Sequence, residues 1–129
     1  EYSLPSENGP ACIEDINNLL SRHHPEVEWP VEYRTVAGDD VWLSPTGGRS
    51  TVTISIHESV RNDETSYYQD AEKIFRSYGG RPHWGKVHYL NRDDLAASYD
   101  HWDRWWTVRE NVDPTGVLLN DPLRQLRPI

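Results

Sequence analysis

The sequence has no methionine, one cysteine and one phenylalanine in 129 residues, and it lacks any apolar run of the roughly 20 residues that span a bilayer. The single cysteine, Cys12, excludes an internal disulfide, so we expect a protein of the reducing cytoplasm. No signal-peptide pattern is present. Because the chain starts at Glu1 and contains no methionine, we expect a fragment of a longer product.

Basic residues are also scarce, with 13 Lys and Arg against 21 Asp and Glu and a formal net charge of −8. Nucleic-acid binding depends on clustered basic side chains, so the composition argues against a nucleic-acid partner. There is no Gly-rich phosphate loop and no G-x-S-x-G motif, so neither phosphate-loop nucleotide binding nor serine hydrolysis is predicted. The length is that of one domain.

Apolar periodicity predicts the element order βαββαβ over residues 1–90. The predicted elements are strands at 2–4, 31–36, 50–57 and after 79–80, and helices at 10–23 and 67–78. In the strands, apolar side chains should face the core and polar ones the solvent. We therefore predict an α+β fold of the ferredoxin-like type, an antiparallel sheet with both helices on one face.

Residues 91–129 have a different character and predict a C-terminal helical segment. Asn91 with Asp94 three residues later is typical of a helix cap, and Trp102, Trp105 and Trp106 make the next stretch strongly aromatic. Three tryptophans bury a large area, so we expect them to dock on a surface outside this chain.

The segment 79–88, GGRPHWGKVH, predicts a site rather than a linker. Its two glycines suit a left-handed helix end, and Pro82 imposes extended geometry. The following strand or loop carries His83, Trp84, Lys86 and His88, whose side chains bind polar ligand atoms. An edge strand with solvated charges is the alternative interpretation.

A polar patch is predicted on the sheet. Glu32 and Arg34 are two residues apart, so in a strand they project from one face about 6.6 to 6.8 Å apart. Ser55 and His57 should lie beside them, with Lys86 entering from the third strand. The alternative is an ordinary solvated face of an antiparallel sheet, in which the Glu–Arg pair is a surface ion pair.

A metal site is a further alternative for the histidines. His57, His83 and His88 are candidates to converge, but their spacing is not that of a zinc motif. We therefore predict no metal site.

Three segments together resemble the C-terminal part of FAD-linked sugar-lactone oxidases. They are VEYRTVAGDDVWLSP (31–45), GGRPHWGKVH (79–88) and DPTGVLLND (113–121), and they are similar to segments of D-arabinono-1,4-lactone oxidase, L-gulonolactone oxidase and, more distantly, alditol oxidase. The resemblance implies a flavoprotein of the vanillyl-alcohol-oxidase type, with an N-terminal FAD-binding domain before the substrate domain. It implies that residues 1–90 are the cap or substrate domain and that the helical segment 91–129 returns to the absent FAD-binding domain.

The resemblance also implies catalytic roles for three residues. Glu32 would hold substrate hydroxyls, and Arg34 would contact substrate and stabilise negative charge on the reduced flavin. Lys86, in the His-Trp-Gly-Lys motif, would lie near the reacting carbon or the flavin edge.

Further binding residues are implied with looser correspondence. Ser55 and His57 would bind substrate, although alditol oxidases have histidine and a hydroxyl residue at these positions, in the reverse order. His88 matches a histidine that follows the motif in lactone oxidases and would bind substrate. Asn120 would lie near the cofactor, or would serve as a turn residue.

The implied reaction transfers a hydride from the carbon that bears the hydroxyl beside the lactone carbonyl to FAD, after which O₂ reoxidises the flavin and yields H₂O₂. The isolated chain would lack activity, because most of the FAD site lies outside it, and we expect it to self-associate through its uncovered partner surface. Some lactone oxidases are peripherally membrane-associated, so that location is an alternative to the cytoplasm. Alternative functions are an alditol or xylitol oxidase fragment, and a stand-alone ferredoxin-like module that binds a small ligand or a protein.

Replacing Arg34 by alanine in the complete enzyme is predicted to slow flavin reduction severely, because the variant loses a fixed cation beside the ring. Stopped-flow absorbance under anaerobic conditions measures this rate. Unchanged reduction kinetics would refute the role implied for Arg34.

Overall fold

The computed structural model describes residues 1–59 and 61–128. Val60 and Ile129, the last residue of the predicted C-terminal segment, lie outside the description. The chain divides into two compact units. The first contains Glu1–Asp40 and Pro45–Tyr89, and the second contains Val41–Ser44 and the chain from Leu90 onward. The elements are β1 (Tyr2–Pro5), α1 (Gly9–His23), β2 (Glu32–Val36), β3 (Thr51–Ser55), α2 (Thr65–Ser77), β4 (Arg81–Pro82), α3 (Arg92–Ser98), α4 (Trp102–Val112) and α5 (Asp121–Leu126).

The first unit contains a four-stranded sheet in the order β2-β3-β1-β4. Every neighbouring pair is antiparallel. With the helices that follow and precede these strands, this confirms an α+β chain built on an antiparallel sheet.

One face of this sheet forms the core. Leu4 lies opposite Val52, and Tyr2 lies opposite Ile54, so these four side chains share a face. All four are buried. Both helices contact this face, because the ring of Phe75 on α2 stacks on Tyr2 with 5.0 Å between centroids, and the start of α1 lies against the side chains of Val52 and Tyr33.

The other face departs from the predicted pattern of solvated polar side chains. Thr51, Thr53 and Ser55 are buried although they point away from the helices, because β3 is a central strand with neighbours on both sides. The Ser3 and Thr53 hydroxyls bond each other across the strands at 2.9 Å. By contrast, β2 was predicted to be half-buried, and all of its residues are exposed because it is an edge strand.

The two glycines after α2 have different roles. Gly79 adopts the predicted left-handed conformation, with φ 73°. Gly80 does not, and it is required for space, because a Cβ there would lie 2.7 Å from the carbonyl oxygen of Phe75. The strand that follows is only Arg81–Pro82. Lys86 therefore lies in a turn after the sheet, which agrees with the loop alternative predicted for this segment and corrects the expectation that Lys86 enters the patch from a strand.

The second unit has its own small core. Asn91 caps α3 through the predicted capping box with Asp94. Trp102 and Trp106 are 4% and 3% exposed, so the prediction that they dock outside the chain is wrong for these two residues. Val117 and Leu118, in the turn before α5, are instead 79% and 78% exposed.

In the part of the chain that the structure describes, no helix has both the length and the apolarity to cross a membrane.

Replacing Val52 by alanine should lower the free energy of unfolding by about 1.5 kcal/mol or more, because it removes two buried methyl groups from the centre of the core. The same change at Val36 on the edge strand, where 39% of the residue is exposed, should cost less than about 1 kcal/mol. Urea unfolding of both variants tests this, and equal costs would contradict the assigned core.

Candidate functional site

A cleft of about 170 Å³ opens at one end of the sheet of the first unit. Its polar lining comes from four parts of the fold, which are the residue before β1, the end of β3, α2 and the turn after β4. The side chains that bear on its chemistry are Glu1, Ser55, His57, Glu72, Lys86 and Tyr89. Carboxylates, a hydroxyl, an imidazole and an amine therefore surround one small volume, as in sites for polar small molecules.

The strand register brings together the polar residues predicted for the outer face. Glu32 lies opposite Ser55, and Arg34 lies opposite Thr53. Nε of Arg34 is 3.6 Å from Oε1 of Glu32, so the Glu-x-Arg pair is also an ion pair. Arg34 lies in a shallow groove beside the cleft, lined also by Ser3 and His83. Of the predicted patch, Arg34 lines the groove and Glu32 lines neither depression, whereas Ser55, His57 and Lys86 line the cleft. The two depressions share Glu1.

Glu1 connects the two depressions, and the sequence analysis missed it. The Ser55 hydroxyl donates to its Oε2 at 3.0 Å, and Nη2 of Arg34 lies 3.0 Å from the same oxygen. Burial acts to raise the pKa of Glu1, but the Ser55 hydrogen bond and the Arg34 charge outweigh it and hold that pKa below its ordinary value. Its position two residues before Ser3 in an extended segment was the available signal, since alternate residues share a face.

His57 is oriented by the backbone. Its Nδ1 is 3.1 Å from the carbonyl oxygen of Pro30, and since a carbonyl only accepts, Nδ1 is the donor. In the neutral ring Nε2 then carries no proton, and it lies 3.5 Å from the Ser55 hydroxyl oxygen, whose own proton is donated to Glu1. His57 thus presents a basic nitrogen on the Ser55 side of the cleft.

Lys86 is exposed and supplies the cation of the cleft. A turn holds it there, in which the Lys86 amide donates to the carbonyl of His83 at 3.0 Å. Within residues 1–59 and 61–128 its ammonium group forms no ion pair. It is therefore available to a ligand, whereas the charge of Arg34 is already offset by Glu1 and Glu32.

The two remaining predicted residues do not line the cleft. His88 is half-buried, and its buried Nδ1 has no hydrogen-bond partner among the residues that the structure describes. Burial lowers the pKa of His88, although the charge of Glu72 acts in the opposite direction. Asn120 belongs to the second unit, where it caps α5 by accepting from the Leu123 amide at 3.0 Å. The binding roles predicted for both residues stay predictions.

Glu72 is a second residue that the sequence analysis missed. It lies on α2, is 7% exposed, and accepts hydrogen bonds from the Tyr2 hydroxyl and from the Tyr89 amide, the latter at 2.8 Å. The signal was its spacing, because Tyr68, Glu72 and Phe75 recur at four and three residues and so share a helix face.

The histidines form no metal cluster: among the described residues, no three His, Cys, Asp or Glu side chains are grouped to hold a metal ion.

Comparison with known proteins places the chain in a family. The family described as D-arabinono-1,4-lactone oxidase matches residues 1–126. The chain belongs to this family. The match confirms the relationship that the three motifs predicted.

Curated relatives match along nearly the whole chain. L-gulono-1,4-lactone dehydrogenase of Mycobacterium tuberculosis is 39% identical over 98% of this chain and 29% of its own length. L-gulonolactone oxidase of Mus musculus is 31% identical over 98% of this chain and 30% of its own length, and alditol oxidase of a Streptomyces species is 30% identical over the same shares. The chain thus spans less than a third of the length of these relatives.

Replacing Ser55 by alanine should raise the pKa of Glu1 toward its ordinary value, because the carboxylate loses a hydrogen bond that favours its charged form. Since the folded pKa of Glu1 lies below the unfolded one, its contribution to stability is present above the unfolded pKa and is lost as the pH falls through the folded one. The variant should therefore lose less stability on acidification.

An NMR titration of the Glu1 carboxyl carbon measures the shift. Ser21→Ala is the matched control, since the Ser21 hydroxyl bonds only the Asn17 carbonyl within α1 among the bonds found. An unchanged Glu1 pKa in Ser55→Ala would contradict the proposed coupling.

Proposed function

We propose that this chain is the substrate domain of an FAD-dependent sugar-1,4-lactone oxidase that acts on the hydroxyl beside the lactone carbonyl. The observation that carries the proposal is the cleft in which Ser55, His57 and Lys86 meet. Family membership supports the reaction class, and relatives named as L-gulonolactone oxidases support the substrate class. Because those relatives are more than three times as long as the matched region, activity belongs to the complete protein.

The cleft suits a neutral, hydroxyl-rich ring. Glu1 and Nε2 of His57 accept hydrogen bonds in the cleft, whereas Lys86 donates them. Arg34 donates from the neighbouring groove. A lactone offers both hydroxyl donors and carbonyl acceptors to such a lining. In this proposal Glu32 and Arg34 hold the end of the substrate that extends over the groove.

The side chains also fit part of a flavin. A cleft of about 170 Å³ is too small for an FAD molecule, so in this proposal the chain contacts only the reactive edge and most of the site lies elsewhere in the complete protein. The unpaired ammonium of Lys86 suits a group with acceptor atoms that gains negative charge. When bound, FAD supplies the hydride acceptor.

The protein then has two tasks, which are to orient the substrate against the flavin and to accept the proton of the substrate hydroxyl. Oxidation of an alcohol releases the hydroxyl proton as the hydride departs, and this proton needs an acceptor near the reacting carbon. Nε2 of His57 is such an acceptor, because Nδ1 is committed to the Pro30 carbonyl. Ser55 lies beside Nε2 and helps to place the substrate hydroxyl.

We also infer that the first unit is of the ferredoxin-like, split-βαβ type. The element order β1-α1-β2-β3-α2-β4 and the strand order β2-β3-β1-β4 support this classification. So does the packing of both helices against the face that carries Tyr2 and Val52.

A polyol oxidase is the second candidate, favoured by the similarity to alditol oxidase along 98% of the chain. Anaerobic mixing of the complete protein with a γ-lactone or with an alditol separates the two candidates. We expect the lactone to bleach the flavin absorbance faster. Faster bleaching by the alditol would favour the second candidate, and no bleaching by either would favour a binding module without redox activity.

Replacing Lys86 by methionine in the complete protein should slow flavin reduction by about 100-fold, because the cleft loses a preorganised charge that stabilises the transition state. Lys73→Met is the matched control, since Lys73 on α2 is 75% exposed and bonds Asp70 at 2.8 Å. Stopped-flow absorbance measures both variants, and an equal rate in the Lys86 variant and the wild type would exclude the proposed role.

The complete wild-type protein, once reduced by substrate, also serves to identify the electron acceptor. The relatives include one named as a dehydrogenase and others named as oxidases. We expect the reduced protein to consume O₂ and to form H₂O₂, as measured with an oxygen electrode. Reoxidation by a dye but not by O₂ would change the proposal from oxidase to dehydrogenase.

A further inference from the structure

The turn that carries Lys86 has little regular structure of its own. After Arg81–Pro82 the chain leaves the sheet, and residues 83–89 belong to no helix or strand. On its N-terminal side the turn is held to β1, because the His83 amide donates to the carbonyl of Glu1 at 3.0 Å. Within the turn, the Gly85 amide donates to Nδ1 of His83, also at 3.0 Å.

On the C-terminal side the turn is held by a side chain. The Tyr89 amide donates at 2.8 Å to Oε2 of Glu72, and the same oxygen accepts from the Tyr2 hydroxyl. Glu72 therefore joins α2, β1 and the Lys86 turn at one atom. A hydrogen bond to a carboxylate is about twice as strong as a bond between neutral groups.

Burial makes this carboxylate costly. Glu72 is 7% exposed, and a buried charge destabilises a fold unless hydrogen bonds compensate for lost hydration. It lies among the apolar residues of α2 that form the core, next to Ala71 and one turn from Phe75. An apolar side chain would pack at this position without the desolvation cost, but it would leave the Tyr89 amide without this acceptor.

We propose that Glu72 is a positioning residue, which holds the turn 83–89 through the Tyr89 amide and thereby fixes Lys86 in the cleft. The inference rests on the proposed function as far as catalysis is concerned. The hydrogen bond and its effect on the turn do not depend on that function. The two parts are therefore tested by separate measurements.

Amide hydrogen exchange tests the structural part. In Glu72→Ala of the complete protein, the Tyr89 amide should exchange about tenfold faster or more, the change expected when a hydrogen bond to a charged acceptor is lost. Glu72→Gln keeps an acceptor oxygen and should restore most of the protection. Ala71→Gly is the control, because it destabilises α2 without touching the bond. Exchange that rises equally in the Ala71 variant, or not at all in the Glu72→Ala variant, would overturn the inference.

Steady-state and stopped-flow kinetics test the catalytic part. Displacement of Lys86 should lower the flavin reduction rate of Glu72→Ala by about 10- to 100-fold, with a smaller change in KM and with substantial rescue in Glu72→Gln. Ala71→Gly should lower the melting temperature but leave the rate unchanged at temperatures where it is folded. A Glu72→Ala variant with a wild-type rate would overturn the positioning role.

The two failures are distinguishable. If neither lactone nor alditol reduces the wild-type flavin, the proposed function is wrong, and the exchange of the Tyr89 amide still decides whether Glu72 holds the turn. If the wild type is active and exchange responds as expected but the rate does not, the turn is held by Glu72 without consequence for Lys86, and the inference fails.

Discussion

The register of β3 between its two neighbours is the constraint on which the first unit depends. A shift by one residue would move Val52 and Ile54 out of the core and bring Thr53 and Ser55 into it, because side chains alternate between the faces of a strand. The same register sets Ser55 opposite Glu32 and within reach of Glu1. Burial of the apolar face thus fixes the strand register, and this register in turn determines which polar residues lie beside each other on the opposite face.

The charges around the cleft are unequally compensated. Arg34 forms an ion pair with Glu1 and lies near the carboxylate of Glu32. These two negative charges offset the charge of Arg34 unless a substrate displaces one of them. Lys86 has no ion pair among the described residues, and it lies in a turn whose bonds come from β1 and α2. Lys86 thus lies on a segment without helix or strand, and in our proposal Glu72 holds this segment in place.

Short sequence patterns correctly predicted helices and helix ends wherever a residue type has one main structural role. The left-handed Gly79, the capping box of Asn91 and the helical stripe that contains Phe75 follow from steric and hydrogen-bonding rules that act over a few residues. Burial was predicted less well. Edge strands and central strands have the same alternation of apolar and polar residues in the sequence. The pattern therefore could not show that β2 has a neighbouring strand on one side and β3 on both sides.

The candidate site shows the same division. Alternation placed Glu32 and Arg34 on one face, and the three motifs identified the family, because both depend on residues that are close in sequence. Glu1 and Glu72 were missed, because each acquires its role from partners more than 15 residues away, such as Ser55 and the Tyr89 amide. By itself the sequence determined the local elements, the absence of a disulfide within these 129 residues and the family relationship. The tertiary structure decided which polar groups share a cleft and that Lys86 forms no ion pair with the described residues, since only folding brings distant strands and turns within hydrogen-bond distance.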